Sequence, residues 1–128
     1  MIHGYLLTGT GSNIFVSNLV RSFCRLGHDV FLFCQERNPG ELDFVSRHAV
    51  FEQGNRTYRT LFSRETSYDG HCFLFNPDIK ALLPVYVYDE YEGFEVKTFP
   101  QMKIGEIEEH VRRNVDALET IHLEYGFD

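Results

Sequence analysis

A cluster of small residues between two apolar segments constrains the fold of this chain more than any other feature. Residues 2–7 begin as a short apolar segment, and residues 8–13 then read Thr-Gly-Thr-Gly-Ser-Asn, a composition typical of turns and helix starts. A continuous apolar run at residues 30–34 is typical of a parallel strand buried on both faces. With a helix between them, these segments predict a βαβ unit whose strands are parallel, with the glycine cluster at the carboxyl end of the first.

The segment between the two predicted strands has helical spacing. Its apolar residues recur at intervals of three and four positions, and they are Val16, Leu19, Val20, Phe23 and Leu26. Ser12 or Asn13 is placed to cap the start of this helix, and Gly27 is placed to end it.

The rest of the chain predicts a loop, short strands and one long helix. Residues 35–46 are polar and predict the loop, and strand-like pieces follow at 49–51, 58–62, 72–75, 85–88 and 94–99. The last two pieces predict a β-hairpin across residues 89–93. Helical spacing then predicts a final helix capped by Gly126, with an apolar face made of Ile104, Ile107, Val111, Val115, Leu118, Ile121 and Tyr125. Packing of this helix onto a sheet is favoured over a coiled coil, because its seven-residue repeat is short.

Composition and charge exclude several classes of protein. The length of 128 residues fits one domain, and no apolar run is long enough for a transmembrane helix, so we expect a soluble chain. Without a signal-peptide pattern, and with an odd number of cysteines that we interpret as free thiols, the sequence favours the cytoplasm. Residues 1–64 carry seven arginines against five acids, whereas residues 65–128 carry five bases against fourteen acids. The acidic half disfavours nucleic acid as a partner.

The segment of residues 8–13, called the glycine loop below, is the one segment whose composition indicates a chemical use. It lacks the third glycine of a dinucleotide fingerprint and the lysine of a P-loop. Small residues at a helix start still let an anion approach backbone N–H groups. The alternative is a tight turn with no ligand. His3 is interpreted as a packed or backbone-bonded side chain, no hydrolase or metal motif occurs, and neither a metal site nor a cofactor is predicted.

The sequence resembles the start of family 4 glycosyltransferases of the GT-B fold. The segments that carry the resemblance are His3-Gly4-Tyr5, Gly9-Thr10-Gly11-Ser12-Asn13, Asn18-Leu19 and Leu26-Gly27-His28-Asp29-Val30. Residues 82–87, 91–94 and 96–100 also resemble a subgroup of their N-terminal domains. The resemblance implies an α/β fold with a Rossmann-like parallel βαβ core and a β-hairpin excursion.

This resemblance implies a retaining transfer of a sugar from a nucleoside-diphosphate donor to an unknown acceptor. The loop residues that would face the donor diphosphate are Gly9, Thr10, Gly11, Ser12 and Asn13. We expect residues 1–128 to be one partial, acceptor-side N-terminal domain, an incomplete half of a GT-B fold. The donor-binding C-terminal domain with its paired glutamates is absent, so no catalytic residue is assigned and the chain alone is expected to be inactive.

A non-enzymatic α/β module is the alternative. An unfinished parallel sheet leaves a strand edge and a helix flank to be covered. We therefore expect a homo-oligomer, or a missing C-terminal part that covers the same surface.

Overall fold

A mostly parallel four-stranded sheet organises the chain. The computed structural model describes residues 1–128, with helices α1 (Gly11–Arg25) and α2 (Ile104–Tyr125). The strands are β1 (Val30–Phe33), β2 (Val45–Phe51), β3 (Tyr58–Ser63), β4 (Cys72–Asn76), β5 (Leu82–Val85) and β6 (Glu95–Thr98). The large sheet has the order β1-β4-β2-β3, and β5 pairs with β6 in a second sheet. The prediction of an α/β fold is confirmed at this level.

Parallel pairing joins the centre of the large sheet. β4 lies between β1 and β2 and is parallel to both, so that Cys72 is opposite Val30 on one side and Val45 on the other. Only the outer pair, β2 with β3, is antiparallel. β2 begins inside the segment that the sequence predicted to be a loop, because Val45 and Phe44 are drawn into the core.

The predicted first strand is reduced to a short segment at the free side of β1. Ile2 forms a parallel bridge with Phe33, and the N–H of Phe33 donates to the Met1 carbonyl at 3.0 Å. The predicted parallel direction of strand, helix and strand is therefore confirmed. The strand does not extend to Leu7, because the backbone bends at Gly4 and Tyr5.

Apolar side chains pack against both faces of the sheet. Val20 and Cys24 of α1 are fully buried in one cluster with Leu32 and Leu74. On the opposite face, Ala117 and Ile121 of α2 are buried in a cluster that includes Phe33, Ala49, Phe51 and Phe75. Each helix thus removes apolar surface from water on its own side of the sheet. No helix here combines the length and the apolar character that crossing a bilayer requires.

Helix α1 follows its predicted span but not its predicted cap. Its N-cap is Thr10, and no side chain caps the helix start. The expectation that Ser12 or Asn13 would cap it is wrong, because both residues lie inside the first turn. The predicted end is confirmed, since the helix stops at Arg25 and Gly27 has a left-handed φ of +83°.

The hairpin predicted across residues 89–93 is wrong. β5 and β6 are parallel, with Leu83 opposite Val96. Residues 86–88, predicted to extend β5, lie outside it, and Tyr86 is 82% exposed. The connecting segment has to return the chain to the start of β5, because β5 and β6 bury the same apolar cluster around Ile79, Leu83 and Val85. The β-hairpin excursion of this fold is instead β2 with β3.

Helix α2 packs on the sheet, as predicted, but with a face that only partly matches the prediction: Ile121 is buried and Leu118 packs against the core, as expected. Its buried residues are Arg113, Ala117 and Ile121, whereas Ile104 and Val111 of the predicted face are 71% and 54% exposed. Arg113 turns inward because its Nη1 lies 2.9 Å from the Asp78 carboxylate and its Nε lies 2.8 Å from that of Glu109. A buried arginine is stable only when its charge is paired in this way. The predicted cap is confirmed, since Gly126 ends the helix in the left-handed conformation with φ +63°.

The three cysteines are free thiols within the core. Burial raises the pKa of Cys34 to about 12 and that of Cys24 to about 11, and it also raises the pKa of Cys72. The thiols are therefore protonated at neutral pH and are unsuited to act as nucleophiles.

Candidate functional site

The glycine loop leads from the first strand segment into α1. Gly9 has a φ of +95°, a conformation that strains any residue with a side chain, and it turns the chain toward the helix start. The first hydrogen bond of the helix runs from the N–H of Ile14 to the Thr10 carbonyl at 3.0 Å. The N–H groups of Gly11, Ser12 and Asn13 have no partner within the protein. Three unpaired donors at the positive end of a helix dipole form an environment suited to an anion.

The side chain of Asn13 supports the loop from inside. It is 1% exposed, its Nδ2 donates to the Thr8 carbonyl at 2.7 Å, and its Oδ1 lies 3.0 Å from His3 Nε2. His3 Nε2 also lies 3.0 Å from the Leu6 carbonyl, so this nitrogen carries a hydrogen and donates to both oxygens. The interpretation of His3 as a backbone-bonded side chain is confirmed. The Asn13 side chain is thus held by bonds within the protein, and its backbone N–H is unpaired.

Glu36, just beyond the end of β1, fixes the other side of the loop. Its buried carboxylate accepts the N–H of Leu7 at 2.9 Å through Oε2, and the N–H groups of Arg37 and Asn38 at 3.0 and 2.9 Å through Oε1. The Glu36 carbonyl in turn accepts from Asn76 Nδ2 of β4 at 3.0 Å. The start of the loop is thereby joined to the carboxyl ends of β1 and β4.

An open cleft lies in front of the loop and has a volume of about 260 Å³. Its lining residues come from the loop and from the segment after β5, and they are Tyr5, Thr10, Ser12, Asn13, Val85, Tyr86, Val87 and Tyr91. The Thr10 and Ser12 hydroxyls are 3.2 Å apart. Partial burial, and the nearby Tyr86 and Tyr91 hydroxyls, raise the pKa of Tyr5, so the Tyr5 phenol remains a protonated donor at neutral pH.

Hydroxyl and N–H groups supply the polar chemistry of the cleft. No lysine, arginine or carboxylate lines it. An anionic ligand would therefore be held by dipoles and hydrogen bonds, with no cationic side chain in contact. No group of three or more His, Cys, Asp or Glu side chains is arranged to hold a metal ion.

The predicted site residues divide into two roles. Thr10, Ser12 and Asn13 line the cleft, whereas Gly9 and Gly11 do not line it and contribute to the backbone course of the loop. Sequence reasoning missed Glu36 and the tyrosine wall of the cleft, which consists of Tyr5, Tyr86 and Tyr91. The tyrosines stood in the segments that carry the family resemblance, but nothing in the sequence indicated that they meet the loop. Comparisons with protein-family models, curated proteins and solved structures find no match to this chain.

Proposed function

We propose that this chain is the acceptor-side N-terminal part of a retaining GT-B glycosyltransferase, with residues 9–13 holding the diphosphate of a nucleotide sugar. The observation that carries the proposal is the set of three unpaired N–H groups of Gly11, Ser12 and Asn13 at the start of α1, where Ser12 and Asn13 also line the cleft. A diphosphate suits these donors because the helix dipole and the N–H groups favour the same negative charge.

The cleft residues would bind and orient the donor. The Thr10 and Ser12 hydroxyls can donate to phosphate oxygens, and the tyrosine wall of Tyr5, Tyr86 and Tyr91 offers ring surface and phenol donors to the rest of the ligand. In such a transfer the acceptor oxygen forms the new glycosidic bond. The bond between the sugar and the diphosphate breaks, and the acceptor proton leaves with the diphosphate.

Residues 1–128 would supply only part of the catalytic environment. The cleft brings no carboxylate or cationic side chain to the reacting groups, so developing charge in the transition state meets only the dipoles of the loop. We therefore expect these residues to bind a donor without transferring its sugar.

Titration by NMR with nucleoside diphosphates and nucleotide sugars tests the proposed donor site. Millimolar ligand is expected to shift the amide signals of residues 9–13, whereas the unphosphorylated nucleoside leaves them in place. Gly9→Ala should weaken binding because its φ of +95° strains a side chain, while Gly4→Ala should bind normally, since an added Cβ there would meet no atom within 4 Å. Loop amides that do not move with any phosphorylated ligand would contradict the proposal.

Self-association is a second candidate function, favoured by the exposed apolar face of α2. Ile104, Val111 and Val115 lie on this face, and Ile2 at the edge strand is half exposed. Uncovered apolar surface of this kind is typical of interfaces. Light scattering over a wide range of concentrations is expected to show a dimer or larger species that Val111→Glu dissociates. A monomer at every concentration would count against this candidate.

A further inference from the structure

Strand β3 forms an uncovered edge of the large sheet. At the other edge, residues 1–3 pair with β1, whereas residues 58–63 pair with β2 alone. No backbone hydrogen bond joins β3 to a residue on its outer side, and four of its six residues are exposed. The N–H and carbonyl groups that point away from β2 are therefore free to pair with another extended chain.

A bulge in β3 leaves Leu61 without a partner in β2. His48 lies opposite Phe62, and the next residue, Ala49, lies opposite Thr60. Leu61 is thus the extra residue, and its side chain is 46% exposed. Leu61 and Phe62 line the same hollow, although consecutive residues of a regular strand point to opposite faces. The bulge permits this arrangement and leaves an apolar side chain half exposed at the strand edge.

This edge hollow lies beside β3 and has a volume of about 350 Å³. It is lined by residues 37–41 and by His48, Leu61 and Phe62. Arg64, directly after β3, holds part of its wall in place. Its Nη1 donates to the Gly40 carbonyl at 2.8 Å, and its Nε donates to the Val45 carbonyl at 2.9 Å. The hollow is therefore formed in the free protein, with room for a side chain of an added strand.

The edge of β3 carries positive charge that no carboxylate of the chain neutralises. Residues 54–64 include three arginines and no acidic residue. Arg59 is exposed, and its side chain forms no hydrogen bond or ion pair within the protein. Arg37 in the hollow has no carboxylate partner either, and Glu41 is the one acid among the lining residues. This charge complements an acidic partner.

Arg59 lies on the same face of the sheet as the hollow. Its neighbours Tyr58 and Thr60 lie on the face that α2 covers, where the Tyr58 hydroxyl donates to Glu124 at 2.7 Å. Because side chains alternate along a strand, Arg59 points to the opposite face. Phe62 of the hollow packs on the core cluster of that same face, under α1. A strand added to β3 would thus meet both the charge and the hollow with the side chains of one of its faces.

We propose that the free edge of β3 binds an extended acidic segment of a partner protein, with an apolar side chain of that segment in the edge hollow. In this mode the backbone pairing supplies affinity, and alternate side chains of the added strand supply specificity. Carboxylates two positions before and after the apolar residue share its face, and they complement Arg59 and Arg37.

A second copy of this chain fits the same edge poorly. Pairing of two β3 strands about a two-fold axis brings the bulged residues and the Arg59 side chains of both copies into one short ladder. A bulge interrupts such a ladder, and like charges opposite each other destabilise it. An acidic segment without a bulge avoids both costs.

Short peptides with the sequence Glu-Thr-Leu-Thr-Glu and Lys-Thr-Leu-Thr-Lys, blocked at both ends, are matched probes of this edge. In an NMR titration of the full chain, the acidic peptide is expected to shift the amide signals of residues 58–63. Its affinity should exceed that of the basic peptide by about tenfold, and the difference should shrink as salt is added. Equal binding of the two peptides, or no binding of the acidic one, would overturn the proposal.

A fully N-methylated form of the acidic peptide tests the backbone pairing. It keeps both carboxylates and the leucine but has no N–H to donate to β3, so it should leave the signals of residues 58–63 in place. Binding of this form with unchanged affinity would show that charge alone attracts the peptide, against strand addition.

Variants of the chain identify the side chains responsible. Arg59→Glu is expected to weaken binding of the acidic peptide by about fivefold and to strengthen binding of the basic one. The control Arg25→Glu makes the same change of charge at an exposed position of α1 and should bind the acidic peptide normally. Equal weakening in the two variants would contradict a site at β3.

Leu61→Ala tests the hollow. It should weaken binding of the leucine peptide by about threefold but leave binding of a Glu-Thr-Ala-Thr-Glu peptide unchanged, because only the first places an apolar side chain against Leu61. Equal losses for the two peptides would remove the hollow from the proposal.

Two other occupants of this edge give different results. Shifts of residues 58–63 on concentrating the chain without peptide would identify a second copy as the occupant. Shifts of the same residues with single-stranded oligothymidylate, but not with the acidic peptide, would identify nucleic acid. Either result overturns the proposal.

Discussion

Replacing Glu36 by alanine is expected to lower the free energy of unfolding by about 3 to 5 kcal/mol, because three backbone N–H groups lose their shared acceptor. The N–H groups of Leu7, Arg37 and Asn38 all donate to this carboxylate, which is 5% exposed. Chemical denaturation followed by circular dichroism measures the change. Glu36→Gln should show an intermediate loss, since an amide has one acceptor oxygen and its NH₂ group faces an N–H donor.

The matched control for Glu36 is Glu65→Ala. Glu65 is exposed, so its substitution should change the free energy of unfolding by less than about 0.5 kcal/mol. Equal, small losses in the two alanine variants would show that the buried carboxylate does not hold the loop. Glu36→Ala should also weaken the response of residues 9–13 to phosphorylated ligands, because the carboxylate no longer holds the Leu7 N–H at the start of the loop.

Gly70→Ala is expected to destabilise the fold by about 3 kcal/mol or more, because a side chain has no space there. A Cβ built on Gly70 lies 2.2 Å from the His28 carbonyl oxygen and 2.7 Å from the His28 nitrogen. The obstructing atoms belong to the backbone and cannot rotate away. The N–H of Gly70 also donates to the Cys24 carbonyl at 2.9 Å, so moving this segment breaks its contact with the end of α1.

Thermal or chemical unfolding of Gly70→Ala should be compared with that of Gly105→Ala. Gly105 lies in α2 with no atom near its Cβ position, and alanine is expected to stabilise it by up to about 1 kcal/mol through helix propensity. Near-wild-type stability of Gly70→Ala would show that the backbone at Gly70 does not pass this close to the backbone of His28.

Local patterns predicted those parts of the fold that neighbouring residues determine. The spacing from Val16 to Leu26 and the terminating Gly27 were sufficient for α1, because a helix closes its hydrogen bonds within its own segment. The signal at Gly93 did mark a turn, since the Phe94 N–H donates to the Tyr91 carbonyl at 3.0 Å. Whether two strands that flank a turn are antiparallel or parallel depends on distant packing, which sequence pattern does not reveal.

Long-range polar contacts account for the remaining differences between the structure and the sequence-based predictions, namely the packed face of α2 and part of the candidate site. Apolar spacing alone could not orient α2, because the buried Arg113 pairs with Asp78, 35 residues away, as well as with Glu109 in its own helix. The same limit applies to the candidate site. The glycine loop was found from its own composition, but Glu36 reaches Leu7 across 29 residues, and Tyr86 and Tyr91 come from beyond β5.

The internal hydrogen bonds of Asn13 and Glu36 determine when the glycine loop loses its conformational entropy. These side chains bond the loop from both ends in the free protein. The backbone freedom of the segment is therefore lost when the chain folds, and little of it remains to be lost when a ligand arrives. Such preorganisation raises affinity without adding a contact, so that even a shallow cleft without cationic side chains can select its ligand by shape and dipole orientation.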